Sequence, residues 1–327
     1  MYQAFYGLRD LPFELTPNPA YLFMPSQHRE ALSNLQYGLS SAKGITVLIG
    51  EAGTGKTTLL HAALQSDACR HVSCVYLNNP ALTRTEFIQT LSQRFGLTAR
   101  AGESKAALLE ELEAVLLARR ARGEVTALAI DEAQSLSNEL LEELRLLANS
   151  ETTQVKLLPL ILAGQPELRD RLNQENLRQL KQRVTLRCEL QPLTLEATAA
   201  YIATRIKVAG GEAAKLFSRE AVIMIYERSG GIPRTISVMC DNALMTGFAL
   251  GKRPVDREIV LEVARDFDLS SSAVADTRAP EPMIALPPGE GSIVSAPPSG
   301  EEDASDMTLE REMFEAPRRR FRFLRGR

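Results

Sequence analysis

The chain has 327 residues, of which 44% are hydrophobic and 24% charged, a composition that suits a globular protein with room for two folded units. Its formal net charge is only −3, so the overall field gives no reason to expect nucleic acid as the main partner. The amino end lacks a signal-peptide pattern, and no apolar run reaches the roughly 18 residues that a membrane helix needs, which predicts a cytoplasmic protein.

The first strand-like run, residues 45–49, leads into a glycine-rich loop and then into a helical pattern. Gly50, Gly55, Lys56 and Thr57 fit the phosphate-binding loop G-x-x-x-x-G-K-[ST], in the strand-to-helix setting that the motif requires. Glycines let backbone N–H groups surround phosphate oxygens, a lysine reaches the β and γ phosphates, and a threonine hydroxyl can ligate Mg²⁺. This stretch therefore predicts a nucleotide site with Mg²⁺.

The second strand-like run, residues 72–77, lies next to Cys69 and His71 and contains Cys74. No fourth ligand stands at a matching spacing, so we predict no metal site there. With Cys188 and Cys240, the cysteines are scattered through a chain of intracellular character, which predicts free thiols.

The third run, residues 125–130, ends in "LAIDEAQ". This places Asp131 and Glu132 at the carboxyl end of a predicted parallel strand, where ligands bind in open α/β sheets. Asp131 is suited to hold Mg²⁺, directly or through water, and Glu132 to deprotonate a water that attacks the γ phosphate. A small-molecule kinase does not need the second acid in this position, whereas a hydrolase does. The pair therefore favours hydrolysis.

The fourth run, residues 157–163, continues into Gln165, whose amide can touch the γ phosphate or the attacking water. The stretch "NLRQLKQRVTLR" then predicts a basic helix, with Arg178 and Arg183, that ends where the fifth run, residues 184–190, begins. Strand-like runs that alternate with helical stretches predict a parallel sheet with helices on both faces, a three-layer α/β sandwich of five strands.

After Pro192 the pattern becomes helical. Predicted helices cover residues 195–208, 218–228, 235–250 and 255–267, with Gly or Pro between them. In "SGGIPRTISVMCDNAL", Arg234 lies in the first turn of a helix, where Pro233 is acceptable and the arginine can reach phosphate across a cleft. From residue 269 the composition turns to Ser, Ala, Pro and Gly with acidic patches, which predicts disorder, and the chain ends in "RRRFRFLRGR". The predicted domains are a nucleotide-binding core at 1–191, a helical lid domain at 192–268, and a disordered linker with a basic tail at 269–327.

The order of these motifs resembles the AAA+ ATPases, and within them the general secretion pathway protein A group, which is related to origin-recognition-like ATPases. The resemblance runs from the amino end to about residue 268 and includes "GEAGTGKTT", "IDEAQ", "KLLPLILAGQPEL" and "GGIPRTISVMCDNAL". It implies an ATP hydrolase that binds ATP and Mg²⁺ and self-associates as a ring or filament.

The resemblance also implies a role for each matching residue. The residues that it implies for catalysis are Glu132 of Walker B, Gln165 as sensor 1, Arg183 as the arginine finger offered to a neighbouring subunit, and Arg234 as sensor 2. The residues that it implies for nucleotide binding are Gly50, Gly53, Gly55, Lys56, Thr57, Thr58 and Asp131, with Thr57 and Asp131 also on the metal. Arg178 is the alternative for the arginine finger.

The amino segment has two interpretations. Pro12, Phe13, Phe23 and Met24 pack against the adenine ring, as the segment before the first strand often does in AAA+ proteins, or they simply cover the sheet. Both interpretations stay open from the sequence.

The resemblance implies work on a partner protein in bacterial envelope assembly, such as secretion, pilus formation or exopolysaccharide export. The alternative is a DNA-associated regulator like the AAA+ partners of transposases. The acidic body disfavours DNA, while the arginine tail keeps this alternative open because phosphate contacts give salt-sensitive binding. Phe321 and Phe323 interleave with the tail arginines, a pattern that favours binding to an anionic membrane surface or to an acidic groove of a partner. Binding to a membrane would place the protein at the periphery of the inner membrane.

Overall fold

A computed structural model of the chain describes residues 1–16, 21–78, 81–151 and 155–268. Five parallel strands form one sheet in the order β2-β3-β4-β1-β5. The strands are β1 (Ile45–Gly50), β2 (Val72–Leu77), β3 (Val125–Ile130), β4 (Leu160–Gly164) and β5 (Val184–Leu190). Every residue of β1, β3 and β4 is buried, because helices cover both faces of these central strands.

The helices of the core form a layer on each side of the sheet. The helices on one face are α2 (Ser26–Ser40) and α3 (Lys56–Gln65). Those on the other face are α4 (Arg84–Phe95), α5 (Ala99–Glu103), α6 (Lys105–Ala121), α7 (Asn138–Leu147), α8 (Pro166–Leu172) and α9 (Arg178–Lys181). Along β1, Val47 belongs to one apolar cluster and Leu48 to the other, as the two-residue period of a strand requires. The predicted three-layer α/β fold is confirmed.

Two elements of the core differ most from the sequence prediction. The fourth run begins at Leu160 rather than residue 157, because Pro159 has no N–H to donate to a neighbouring strand. The predicted basic helix is a single turn, Arg178–Lys181, preceded by a 3₁₀ turn at Glu175–Leu177. Both differences leave the carboxyl ends of the strands where the prediction put them.

A second group of helices follows the sheet. It consists of α10 (Leu195–Val208), α11 (Ala213–Leu216), α12 (Arg219–Ser229), α13 (Pro233–Ala249) and α14 (Arg257–Asp266). Side-chain caps fix three of the starts, since Thr194, Ser218 and Asp256 each accept a backbone N–H from the first turn. The apolar faces of these helices close on a core of their own. The four long helices were predicted from the sequence, and the one-turn α11 was not.

The amino segment shares its core with these carboxyl-terminal helices. Tyr2 and Tyr6 of α1 (Tyr2–Tyr6) are buried in the helical cluster, and Phe13 meets the ring of Phe217 edge-on at 6.3 Å. The backbone N–H of Arg9 donates to the carbonyl of Ala209 at 2.8 Å. The predicted division counted this segment with the nucleotide-binding core. Its aromatic side chains instead fill a gap among helices about 200 residues away in sequence, a non-local contact that no local pattern indicates.

The predicted linker and basic tail, residues 269–327, lie outside the described residues. Within the described ranges, none of the helices combines the length and the apolar character that crossing a bilayer would require.

Candidate nucleotide-binding site

The glycine-rich loop follows β1 and wraps the amino end of α3. Gly53 and Gly55 have φ angles of 83° and 98°, a backbone region that favours glycine. The Thr54 hydroxyl donates to the Glu51 carbonyl at 2.8 Å and closes the turn. The N–H groups of residues 56–58 open α3, so they have no partner within the helix. These residues line the cleft, and the amino end of a helix is a place where anions bind.

Lys56 lies in the floor of this loop and is only 4% exposed. Its Nζ donates to the carbonyls of Gly50 at 2.7 Å and Glu51 at 3.0 Å. Burial lowers the pKa of Lys56, while the nearby carboxylates of Glu132 and Asp131 oppose that shift. The ammonium group is therefore held beside the loop by carbonyls that a phosphate oxygen can replace.

Asp131 follows β3 and is almost completely buried, with 1% of its surface exposed. Its Oδ2 accepts the hydroxyl of Thr57 at 2.5 Å and the hydroxyl of Tyr76 at 2.9 Å, and its Oδ1 accepts the N–H of Glu132 at 3.0 Å. Tyr76 reaches Asp131 because β2 lies beside β3 in the sheet. Burial, followed by the charge of Asp131, raises the pKa of Tyr76, which keeps its hydroxyl as a donor.

The pair of Thr57 and Asp131 suits Mg²⁺. Mg²⁺ prefers oxygen ligands and is usually held in nucleotide sites by one or two protein oxygens together with phosphates and water. A hydroxyl and a carboxylate oxygen 2.5 Å apart present that donor set at the mouth of the loop. Among the described residues there is no cluster of three His, Cys, Asp or Glu side chains suited to a metal, and this type of site does not need one.

Glu132 stands in the left-handed backbone region, with φ of 53°. Its Oε2 accepts two side-chain amides, from Gln134 at 2.6 Å and from Gln165 at 3.2 Å. Gln165 follows β4, which lies next to β3 in the sheet, so the carboxyl ends of these two strands bring the three residues together. Gln134 was not singled out from the sequence, although it stands in the same "IDEAQ" motif.

Arg234 joins the helical group to the glycine-rich loop. Its backbone N–H donates to the Gly53 carbonyl at 3.2 Å, in the first turn of α13. A Cβ placed on Gly53 would come within 2.8 Å of Arg234 Cβ and 3.1 Å of Ile232 Cγ2. The arginine predicted from "GGIPR" therefore stands directly above the phosphate loop.

A cleft of about 360 Å³ lies between the loop and the helical group. Its lining includes residues 53–58 of the loop and Glu132. It also includes apolar and aromatic side chains, namely Leu15, Tyr21, Phe23, Leu193 and Tyr201. Since phosphates belong at the loop, these apolar and aromatic side chains suit the base of a nucleotide.

Two of the four residues named in the amino segment fit an interpretation given for it, and Pro12 and Phe13 fit neither. Phe23 lines the cleft and meets the Tyr201 ring edge-on at 5.7 Å, the place expected for a contact with a base. Met24 packs on the apolar cluster that covers the sheet, and Phe13 lies inside the helical core. The carbonyl of Pro12 accepts Arg205 Nε at 2.5 Å.

Further cleft residues were missed at the sequence level. Arg205 lies over the rings of Tyr21 at 5.0 Å and Tyr201 at 5.4 Å, where cation–π attraction fixes both. His28 of α2 is buried and its Nε2 lies 3.1 Å from the Thr54 carbonyl. A carbonyl only accepts, so the neutral ring carries its proton on Nε2 and leaves Nδ1 as an acceptor. Burial lowers the pKa of His28, which favours this neutral form.

Arg183 lies at the amino-terminal ends of the strands, opposite the ends that carry the phosphate loop. Its carbonyl accepts the N–H of Ile45, the first residue of β1, whereas Gly50 ends that strand. Five steps of about 3.3 Å put the backbone of Arg183 about 17 Å from the start of the phosphate loop. Arg178 precedes it on α9 and is exposed. The structure therefore does not bring either arginine to the cleft of its own chain.

Comparison of the sequence with known proteins gives two matches. A family model described as an AAA domain matches residues 39–172. General secretion pathway protein A of Aeromonas hydrophila is 41% identical over 255 residues, which are 78% of this chain and 46% of that protein. This chain therefore spans about half the length of that relative.

Solved structures share the fold at low sequence identity. Drosophila ORC bound to DNA has a TM-score of 0.59 at 20% identity, over 79% of this chain and 65% of that chain. The Aeropyrum pernix ORC2 protein in its ADP form has a TM-score of 0.55 at 17% identity, over 78% of this chain and 72% of that chain.

Proposed function

Because the chain belongs to the AAA+ ATPases and is a relative of general secretion pathway protein A, we propose that it binds ATP with Mg²⁺ in the cleft and hydrolyses the γ phosphate. The observation that carries the proposal is the convergence of Lys56, Asp131 and Glu132 at the carboxyl ends of β1 and β3, which lie on either side of β4. In this arrangement Lys56 would bind phosphate, Asp131 would hold the metal and Glu132 would act on water.

The described residues supply each part of the reaction. The backbone N–H groups after Gly53 and the ammonium of Lys56 bind the β and γ phosphates, and Thr57 with Asp131 would hold Mg²⁺. When bound, Mg²⁺ withdraws charge from the phosphate oxygens. Glu132 takes a proton from the attacking water while the water oxygen bonds to the γ phosphorus. The bond between the γ phosphorus and the bridging oxygen breaks, and that oxygen leaves with ADP.

We assign the remaining predicted residues to orientation and assembly. In this assignment Gln165 orients the γ phosphate or the attacking water through its amide, and Arg234 orients the γ phosphate through its guanidinium. Arg183, about 17 Å from its own loop, completes the site of a neighbouring copy in a ring or filament, and Arg178 is the alternative for that contact. Hydrolysis at subunit interfaces follows from this assignment.

The name of the relative, general secretion pathway protein A, supports a role in secretion, and we extend this role to a partner in envelope assembly, including pilus or exopolysaccharide export. In this proposal the ATPase cycle remodels or switches the partner from the cytoplasmic side. The arginine tail holds the body at an anionic inner-membrane surface, with roughly 1 kcal/mol for each arginine near the surface. Salt-sensitive retention on liposomes by the full chain, and its loss in a chain ending at Asp268, would support the tether.

A second candidate function rests on the same tail, which has six arginines in its last ten residues. Such a segment also suits nucleic acid phosphates and would fit a DNA-associated regulator. The net charge of −3 disfavours this candidate. Tail-dependent retention on duplex DNA with no retention on anionic liposomes would favour it.

The decisive experiment for the ATPase proposal measures phosphate release and ATP binding in parallel. We expect Lys56→Ala to lose ATP binding, and Glu132→Gln to keep ATP bound without turnover. A wild-type chain that binds ATP no better than Lys56→Ala would refute the proposal. The Glu132→Gln variant then serves as a trap that retains the partner for identification.

A further inference from the structure

Two side-chain amides hold the carboxylate of Glu132. Gln134 Nε2 donates to Glu132 Oε2 at 2.6 Å, and Gln165 Nε2 donates to the same oxygen at 3.2 Å. A carboxylate only accepts hydrogen bonds, so both amides must turn their nitrogen toward it. The shorter of the two bonds comes from Gln134, so Gln134 restrains the orientation of the Glu132 carboxylate more than Gln165 does.

Gln134 is also fixed at its other end. Its Oε1 accepts the backbone N–H of Gln165 at 3.1 Å. Because a backbone N–H only donates, this bond determines which way the Gln134 amide is turned and leaves its nitrogen facing Glu132. Gln134 therefore bridges the loops that follow β3 and β4.

The surroundings keep this bridge in place. Arg171 of α8 donates to the carbonyls of Gln134 at 2.7 Å and Leu136 at 2.5 Å. A Cβ placed on Gly164 would lie 2.9 Å from the Gln134 Oε1, so glycine at this position gives the amide its room. Arg171 thus holds the backbone at Gln134, and Gly164 leaves room for the Gln134 side chain.

The backbone of Glu132 carries strain at the same place. Its φ of 53° lies in the left-handed region, which is unfavourable for a residue with a Cβ. Such strain persists where the surroundings over-determine a conformation, and it is frequent at functional sites. Here it goes with a carboxylate that lines the cleft beside Lys56.

We propose that Gln134 is a positioning residue for ATP hydrolysis. Its amide holds Glu132 in the orientation from which the carboxylate accepts the proton of the attacking water, and it ties that orientation to Gln165 at the end of β4. The inference rests on the proposed function, since it requires Glu132 to act on water. The Gln134 amide contacts Glu132 and the backbone N–H of Gln165, so we assign it to act through Glu132 rather than on the nucleotide.

The test uses Gln134→Met, which keeps the length of the side chain and removes both amide contacts. We expect kcat to fall about 10- to 100-fold, a part of the 10²- to 10⁴-fold that a positioned general base contributes. We expect the Kd for ATP to stay within about twofold, because no group that binds phosphate changes. Gln93→Met, an exposed site on α4, is the matched control and should change neither value.

A second variant separates positioning from a general structural role. The slow residual single-turnover rate of Glu132→Gln, followed over long incubation with enzyme in excess, should not fall further when Gln134→Met is added, because both substitutions affect the same step. A multiplicative loss, or a weaker Kd for ATP, would overturn the inference. A faster rate in Gln134→Met would also overturn it, because the amide would then restrain Glu132. Failure of the proposed function differs from all of these, since the wild-type chain itself would not hydrolyse ATP.

Discussion

The backbone N–H of Arg234 donates a hydrogen bond of 3.2 Å to the carbonyl of Gly53, which ties the first turn of α13 directly to the phosphate loop. The contact leaves no space for a side chain on Gly53, where an added Cβ would lie 2.8 Å from Arg234 Cβ. Because the two share this contact, we expect a movement of the helical group to change the shape of the loop.

The first prediction tests this contact with Gly53→Ala. We expect the ATP affinity to fall, because the new methyl group separates Arg234 from the loop and opposes the φ of 83°. Gly123→Ala is the matched control, since its φ is 78° and nothing lies within 4 Å of its added Cβ. Both variants should lose about 1 kcal/mol of stability through backbone strain, as measured by denaturant unfolding. Equal ATP affinities in the two variants would contradict the role of the contact.

The second prediction concerns Arg183 and assembly. If Arg183 enters a neighbour's site, Arg183→Ala should lower kcat by about 10³-fold or more, as loss of an arginine finger does. Mixing it with Lys56→Ala subunits should restore part of the activity, because each variant supplies the group that the other lacks. Arg178→Ala is the comparison, since Arg178 is exposed on α9, just before Arg183 in the chain. Turnover per subunit that is independent of concentration in the wild type would contradict the prediction.

The sequence predicted the features that lie within one local pattern. The phosphate loop, the acidic pair after β3 and the four long carboxyl-terminal helices each follow from residues close together along the chain. The contacts of Asp131 with Tyr76 and of Arg205 with Pro12 span 55 and 193 residues, and only the packing of elements brings them together. The roles of Gln165, Arg183 and Arg234 remain predictions, because they depend on a bound nucleotide or on a second copy.

The third prediction uses the pH dependence of stability at His28. Burial lowers the pKa of His28 in the folded chain, whereas the unfolded chain takes up a proton near the ordinary value of about 6.5. The stabilising contribution of His28 is therefore fully present above about pH 6.5 and is lost as the pH falls below it, with a slope of up to about 1.4 kcal/mol per pH unit.

His28→Leu should remove this part of the slope. The free energy of unfolding of the variant should depend less on pH between 7.5 and 5 than that of the wild type, as measured by denaturant unfolding across about this range. His71→Leu is the control, because His71 is exposed. The same pH slope in wild type and His28→Leu would show that His28 does not titrate differently in the two states.

The last prediction concerns Tyr76 and Mg²⁺. The Tyr76 hydroxyl donates to Asp131 Oδ2, the oxygen that also accepts Thr57, so it fixes the plane of the carboxylate that would hold the metal. Residues that orient a metal ligand typically change metal affinity by about 10- to 100-fold when they are lost. In Tyr76→Phe we therefore expect the Mg²⁺ concentration for half-maximal turnover to rise about 10-fold, with little change in kcat at saturating Mg²⁺. Tyr37→Phe removes a hydroxyl from a half-exposed ring on α2 and should leave the Mg²⁺ dependence unchanged. A lower half-maximal Mg²⁺ concentration in Tyr76→Phe would mean that the tyrosine competes with the metal for the carboxylate, the opposite of an orienting contact.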